Sequence, residues 1–133
     1  MQYQTLRMFM NALSGTIQLA GLPDKMEKIY LQYNHLNGNI DLDRLPAAVR
    51  TLNLSRNKFT GKVSLEKPPK GLEVLALADN QLTGTICLTS LAPALKTLNL
   101  ATNNFEGSLD FTRLPYSISE MYLSENHFSG TVD

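Results

Sequence analysis

One column of asparagines recurs every 23 residues and constrains the fold more than any other feature of the sequence. Its members are Asn11, Asn34, Asn57, Asn80, Asn103 and Asn126. A glycine stands four residues after each of them, at Gly15, Gly38, Gly61, Gly84, Gly107 and Gly130. Self-similarity at a fixed period of roughly 20–50 residues is typical of solenoids, propellers and other repeat arrays. Because the repeats run through the whole chain, they predict a single repetitive structure.

Apolar columns surround the asparagines at fixed offsets. In the third repeat Leu52 and Leu54 precede Asn57, and Phe59 and Val63 follow it. The complete unit reads L-x-x-L-x-L-x-x-N-x-[LF]-x-G-x-[IV]-x-L-x-x-L-P. The alternation L-x-L places leucines on one face of a short strand and the intervening residues on the other. Because one strand cannot bury its leucines alone, successive coils are expected to stack into a parallel sheet.

The first half of this unit resembles the signature of the leucine-rich repeat family, and the 23-residue period lies within that family's range of roughly 20–29 residues. The second half, G-x-[IV]-x-L-x-x-L-P, is similar to a variant found in repeat proteins of protists, and is less like the plant receptor form. The resemblance implies a leucine-rich repeat solenoid, a right-handed coil with a parallel β-sheet on its concave face. It also implies turns and irregular or short β and 3-10 segments on the convex face, with little regular helix. One domain is expected over residues 1–133, with about six repeats and no recognisable caps.

We interpret the asparagine column as a structural ladder rather than a reactive site. A side-chain amide offers two donors and one acceptor, so each asparagine can satisfy buried backbone groups in its own coil and in the next one. The glycines are expected to provide positive φ or a close approach of the backbone.

Composition argues against several classes of function. The 12 basic and 12 acidic residues cancel, so no overall field favours nucleic acid or an anionic membrane. No apolar run is long enough to span a bilayer, and the start MQYQTLRMFM lacks the apolar core of a signal peptide. The single cysteine, Cys87, cannot form an intrachain disulfide, and no cysteine-bearing cap is present. A reducing compartment such as the cytoplasm is therefore favoured, unless the segment was excised from a secreted or surface protein.

No constellation for catalysis or metal binding recurs in the repeats. Cys87 stands in an outward column without a basic partner, so we interpret it as an unreactive surface thiol. His35 and His127 lie four coils apart, about 19 Å, which is too far to hold one zinc ion. We therefore expect no enzymatic activity, no cofactor and no metal site.

The residues that point outward from the concave strands differ from repeat to repeat, so we expect the residues that determine function among them. Aromatic and arginine side chains on a rigid sheet are the usual material of binding hot spots. The predicted partner-binding residues are Arg7, Phe9, Lys28, Tyr30, Tyr33, Arg56 and Tyr122. The alternative is that Phe9 and Met10 once met a terminal cap and that the tyrosines are ordinary surface residues.

Three functions follow from this interpretation. The first is a protein-interaction module that binds a protein or peptide on the concave sheet. The second is a structural segment that self-associates through open solenoid ends or continues into a longer array. Apolar residues of the outer coils would be exposed there, namely Leu6, Met8, Leu13, Ile17, Leu123, Phe128 and Val132. The third is a carbohydrate-binding or adhesion surface, because the tyrosines stand among Asn, Thr and Ser.

Overall fold

The structure is a computed structural model, and it describes residues 4–130 of the chain. Val132, which was expected to be exposed in the last coil, lies outside the described residues. Within residues 4–130, twelve β-strands alternate between two parallel six-stranded sheets. The solenoid predicted from the 23-residue period is confirmed, because each repeat contributes one strand to each sheet.

Sheet 1 contains the strands of the L-x-L segments. They are β1 (Thr5–Arg7), β3 (Lys28–Tyr30), β5 (Thr51–Asn53), β7 (Val74–Ala76), β9 (Thr97–Asn99) and β11 (Glu120–Tyr122). Neighbouring strands pair in parallel with residues 23 positions apart, as Leu52 does with Leu75. The repeat period of the sequence is therefore the register of the sheet. This sheet corresponds to the predicted concave sheet.

Sheet 2 follows each ladder asparagine and is more regular than the short β segments expected there. Its strands are β2 (Ser14–Gly15), β4 (His35–Gly38), β6 (Lys58–Lys62), β8 (Gln81–Gly84), β10 (Asn104–Ser108) and β12 (His127–Ser129). Helical structure in the described range is limited to three 3-10 segments, η1 (Leu19–Gly21), η2 (Leu42–Arg44) and η3 (Leu88–Ser90). The prediction of little regular helix is confirmed.

The apolar columns form one continuous hydrophobic core along the stack of coils. In the inner coils Leu52, Phe59 and Phe105 are each 0% exposed. Burying a side chain of this size contributes roughly 1.5–3 kcal/mol. Their counterparts in the outer coils, Leu6 and Phe128, are only partly buried. Complete burial of a coil therefore depends on a neighbouring coil on each side.

The ladder asparagines join adjacent coils through their side-chain amides. Asn57 Nδ2 donates to the carbonyl of Leu54 in its own coil and to that of Leu31 in the preceding coil, both at 3.0 Å. Its Oδ1 accepts a hydrogen bond of 3.0 Å from the N–H of Leu36. The same bonds recur at Asn34, Asn80, Asn103 and Asn126. Each of these asparagines therefore bonds to the preceding coil. The sequence had led us to expect bonds to the following coil. Asn11 is exposed, and the bonds described for its side chain stay within its own coil.

Two columns of residues have left-handed backbone conformations. The six glycines have φ between 85° and 95°, as expected. The residue before each ladder asparagine also has positive φ, although none of these residues is glycine; φ lies between 55° and 60° at Met10, Tyr33, Arg56, Asp79, Thr102 and Glu125. Such a conformation is uncommon outside glycine, and for a β-branched residue such as Thr102 it is an outlier. The hydrogen bonds of the asparagine that follows hold this turn in place.

Candidate functional site

The outward side of sheet 1 carries the residues predicted to bind a partner. In β3 the central Ile29 is 0% exposed, while Lys28 and Tyr30 on either side of it lie on the opposite face. The same alternation in the other strands produces columns of outward residues across the coils. We call this surface the sheet 1 face, and it extends from each strand to the ladder asparagine; its segments are 5–10, 28–33, 51–56, 74–79, 97–102 and 120–125.

Arg7 and Tyr30 form the first of two arginine–tyrosine stacks on this face. Arg7 Cζ lies 4.8 Å from the centroid of the Tyr30 ring. The two residues are register partners in neighbouring strands, so they belong to the first and second coils. A guanidinium over an aromatic face is worth about 0.5–1 kcal/mol at an exposed site. Within residues 4–130 no carboxylate forms an ion pair with Arg7, so its N–H donors can meet an external acceptor.

Tyr33 and Arg56 form the second stack, between the second and third coils. Arg56 Cζ lies 4.8 Å from the centroid of the Tyr33 ring, and Tyr33 is 47% exposed. Arg56 Nε also lies 3.6 Å from a carboxylate oxygen of Asp79 in the fourth coil. The two tyrosines of the second coil are therefore each covered by an arginine from a different neighbouring coil. We call Arg7, Tyr30, Tyr33 and Arg56 the arginine–tyrosine patch.

Three further residues border this patch. Phe9 is 39% exposed, and Lys28 is exposed without an ion-pair partner in the described range. Gln32 contributes a buried side-chain oxygen, Oε1, which accepts no hydrogen bond from the described residues. An unpaired buried acceptor costs roughly 1–3 kcal/mol. A donor from a bound molecule could recover part of that free energy if Gln32 shifted to meet it.

The middle of the sheet 1 face is formed by small side chains. Ala76 is 9% exposed and Ala78 is 7% exposed, so the fourth coil presents almost no protruding side chain there. The alternation of the strand places both alanines on the outward side, and Asn53 and Asn99 flank Ala76 in register. The surface is therefore recessed between the arginine–tyrosine patch and the sixth coil, and we call this recess the low floor of the face.

The sixth coil ends the face with an aromatic and acidic group. Tyr122 is 47% exposed and its hydroxyl donates a hydrogen bond to the carboxylate of Glu120. This bond, together with the negative charge of Glu120, raises the pKa of Tyr122. Glu125 accepts a hydrogen bond of 2.9 Å from Thr102 Oγ1. Tyr122 thus lies on the same face as the arginine–tyrosine patch but four coils from Tyr30, about 19 Å at a strand spacing of about 4.8 Å.

One feature beside this face was not predicted from the sequence. At the start of the strands Arg50 lies 3.5 Å from Glu27 and 2.7 Å from Glu73, and Lys96 lies 3.1 Å from the same Glu73. A hydrogen bond from Arg50, followed by one from Lys96, lowers the pKa of Glu73. The four residues occupy one column, at 23-residue intervals with alternating sign. That alternation was visible in the sequence and could have identified the network.

The remaining reactive side chains lie away from the sheet 1 face. Cys87 is exposed just before η3, and hydrogen bonding with Thr89 lowers the pKa of its thiol. Among residues 4–130, no group of three or more His, Cys, Asp or Glu side chains is arranged to hold a metal ion. The same part of the chain includes no helix long and apolar enough to cross a membrane.

Comparisons with known proteins agree with this architecture. Residues 48–66 match the family model described as Leucine Rich Repeat. No curated protein matches the chain. The leucine-rich repeat ectodomain of the receptor kinase SOBIR1 from Arabidopsis thaliana superposes with a TM-score of 0.72 and 22% identity, over 89% of this chain and 67% of that one.

Two further solved structures have the same fold. The plant peptide hormone receptor RGFR1, in complex with RGF2, gives a TM-score of 0.72 and 27% identity over 93% of this chain. A pollen receptor kinase 3 gives a TM-score of 0.68 and 25% identity over 91% of this chain. The chain spans only 20% of the RGFR1 chain and 61% of the pollen receptor kinase chain. The placement among protist repeat proteins stays a prediction. The 23-residue register, the inter-coil asparagines and these likenesses show that the chain has the leucine-rich repeat fold.

Proposed function

We propose that the chain is a non-catalytic protein-interaction module that binds a protein or peptide on the sheet 1 face. The proposed contact residues are Arg7, Phe9, Lys28, Tyr30, Tyr33, Arg56 and Tyr122. The proposal accords with the fold, because the likeness to receptor ectodomains includes one, RGFR1, that is described in complex with RGF2. For the present chain the partner is inferred from its own surface.

The pair of arginine–tyrosine stacks is the observation that carries this proposal. Both guanidiniums lie 4.8 Å from a tyrosine centroid, and both stacks share the second coil. Stacking restricts the long arginine side chains before a partner arrives, so less conformational entropy is lost on binding. Arginine and tyrosine are also enriched among the residues that dominate binding free energy. A pre-organised patch of this kind is better suited to a partner than to stabilising the fold.

A peptide selection tests the proposal. The complete chain is immobilised, and peptides of about twelve residues are selected from a random display library, long enough to cross the face at about 3.3 Å per residue. Each selected peptide is then measured against the Tyr30→Ala/Tyr33→Ala variant. We expect selected peptides to lose at least about tenfold in affinity, since hot-spot side chains contribute about 2 kcal/mol or more each.

Tyr116→Ala is the matched control, because Tyr116 is fully exposed and lies outside the sheet 1 face. Peptides that bind this variant and the unmodified chain equally well, but not the double variant, support the proposal. A library that yields no peptide dependent on Tyr30 and Tyr33 would refute it. Circular dichroism and urea unfolding establish that both variants remain folded.

Self-association through the outer coils is a second proposed property. Leu6, Leu13 and Ile17 in the first coil and Leu123 and Phe128 in the sixth are only partly buried, whereas the equivalent residues of the second to fourth coils are buried. Apolar surface of this kind favours contact with another protein surface. Light scattering across a wide concentration range tests this: a mass fixed at 14.8 kDa contradicts it. Phe128→Lys should weaken any dimer that forms.

A further inference from the structure

The charges of the sheet 1 face that lack a partner of opposite sign are segregated along the solenoid. At one end Arg7 and Lys28 form no ion pair with any described residue. At the other end Glu120 accepts a hydrogen bond from Tyr122, and Glu125 accepts one from Thr102. Neither carboxylate forms an ion pair within residues 4–130. The first two coils therefore present uncompensated positive charge and the sixth presents uncompensated negative charge.

The charges between and beside these ends are neutralised by ion pairs. Arg50 binds Glu27 and Glu73, and Lys96 binds Glu73, so two cations and two carboxylates cancel in the column that precedes the strands of sheet 1. Arg56 faces Asp79 at 3.6 Å. The field on the sheet 1 face is thus directed along the stack of coils, from a basic end to an acidic end.

The geometry of the face indicates how a partner would cross it. The second and sixth coils are about 19 Å apart at a strand spacing of about 4.8 Å. The low floor formed by Ala76 and Ala78 lies between them. An extended chain advances about 3.3 Å per residue, so about six residues would reach from one charged end to the other. Complementary charges at the two ends of such a segment would avoid like-charge contacts, which are costly in an interface.

We infer that the partner of this face is an extended peptide segment with opposite charges at its ends, its acidic end over coils one to three and its basic end over coil six. This inference rests on the proposed function and adds the chemical character and the direction of the partner. The arginine–tyrosine patch binds carboxylates through guanidinium N–H groups. Glu120 and Glu125 bind lysine or arginine side chains of the partner. Charge order, more than exact sequence, selects the partner.

A comparison of selected peptide pools tests the inference. The same random library is selected on the unmodified chain and on the Glu120→Lys/Glu125→Lys variant, which makes both ends of the face basic. We expect the first pool to carry acidic residues at one end and basic residues at the other, separated by about four to seven residues. The pool of the variant should carry acidic residues at both ends.

The matched control is Glu66→Lys/Glu106→Lys, which makes the same change in net charge at exposed residues outside the face. Its pool should keep the charge order of the unmodified chain. Replacing the basic end of a selected peptide by glutamate should weaken its binding to the unmodified chain about fivefold or more. The same replacement should strengthen its binding to the variant with two basic ends. These preferences should shrink as ionic strength rises.

Peptides that require Tyr30 and Tyr33 but show no charge order overturn this inference and leave the proposed function intact. A variant pool that keeps the original charge order also overturns the inference. If no selected peptide depends on the two tyrosines, the proposed function fails, and this inference fails with it.

Discussion

The side-chain amide of Asn80 donates a hydrogen bond of 3.1 Å to the carbonyl oxygen of Leu54, which lies in the preceding coil and 26 residues earlier in the chain. The carbonyl oxygen on the same amide accepts from the N–H of Phe59 at 3.1 Å. Asn80 Nδ2 also donates a hydrogen bond of 3.1 Å to the carbonyl of Leu77 in its own coil, so a single side chain satisfies backbone groups of two coils where the backbone has left the sheet. Repetition of this contact makes the stack a cooperative unit rather than a series of separate turns.

Asn80→Ala should lower the free energy of unfolding by roughly 1–3 kcal/mol, because it leaves buried donors and acceptors without partners. Asn11→Ala is the matched control, since Asn11 is exposed and its described side-chain bonds stay in one coil. Urea unfolding should show a change of less than about 0.5 kcal/mol for this control. Equal losses in the two variants would contradict the role assigned to the inter-coil bonds.

Leu77→Ala should cost roughly 2–5 kcal/mol through the cavity that it leaves in the core. Leu77 is 0% exposed and lies on the inward side next to β7. The Tyr30→Ala/Tyr33→Ala variant should lose less than about 1 kcal/mol, since both side chains lie on the outer face. Thermal or urea unfolding compares the two, and a larger loss for the tyrosine variant would mean that the patch is part of the core.

Thr102→Asn should raise the free energy of unfolding by roughly 0.5–1 kcal/mol, because a left-handed conformation costs most residues about 1–2 kcal/mol and asparagine less. Thr102 has φ of 57°. Thr97→Asn provides the control, since Thr97 lies within strand β9, where asparagine is disfavoured. If urea unfolding gives the same change at both positions, relief of backbone strain is not the cause.

Glu73 should titrate below the usual pKa of a glutamate, and Arg50→Gln should raise that pKa, because Arg50 provides the strongest of its stabilising contacts. A folded-state pKa below the unfolded one gives stability that is present above the unfolded pKa and is lost as pH falls through the folded pKa. The stability difference between the two proteins should therefore be present at neutral pH and disappear in acid.

Carbon-detected NMR of the Glu73 carboxylate measures both pKa values. Arg44→Gln is the control, because Arg44 contacts Asp41 rather than Glu73, and it should leave the Glu73 pKa unchanged. A Glu73 pKa that does not respond to Arg50→Gln would show that the charged column does not act as a network.

Much of the fold could be predicted from the sequence because each structural role recurs at one position of the repeat. The inward position of Leu52, the register of sheet 1 and the positive φ of the glycines all follow from columns of similar residues. The regularity of sheet 2 could not be predicted in the same way. A strand such as β4 contains one buried apolar residue, Leu36, among polar ones, and this gives too short an alternation to define a strand.

The candidate site was predicted in part. The outward positions of Arg7, Tyr30, Tyr33 and Arg56 follow from alternation, but their pairing into two stacks depends on rotamers and on contacts between coils. The left-handed conformation at Tyr33 and Arg56 could not be predicted from residue type, because six different amino acids occupy this position in the six repeats. The hydrogen bonds of the ladder asparagine that follows stabilise this conformation, and those bonds can be seen only in the structure.

The central claim is that the sheet 1 face of the first three coils binds the partner, and amide chemical-shift mapping tests it most directly. A selected peptide is titrated into the isotope-labelled chain, whose mass of 14.8 kDa suits solution NMR. The account predicts that the largest shifts fall in β1, β3 and β5 and in the residues up to the ladder asparagines, with smaller shifts around Tyr122. Shifts concentrated in sheet 2 or around η1, η2 and η3, with the sheet 1 face unchanged, would contradict it.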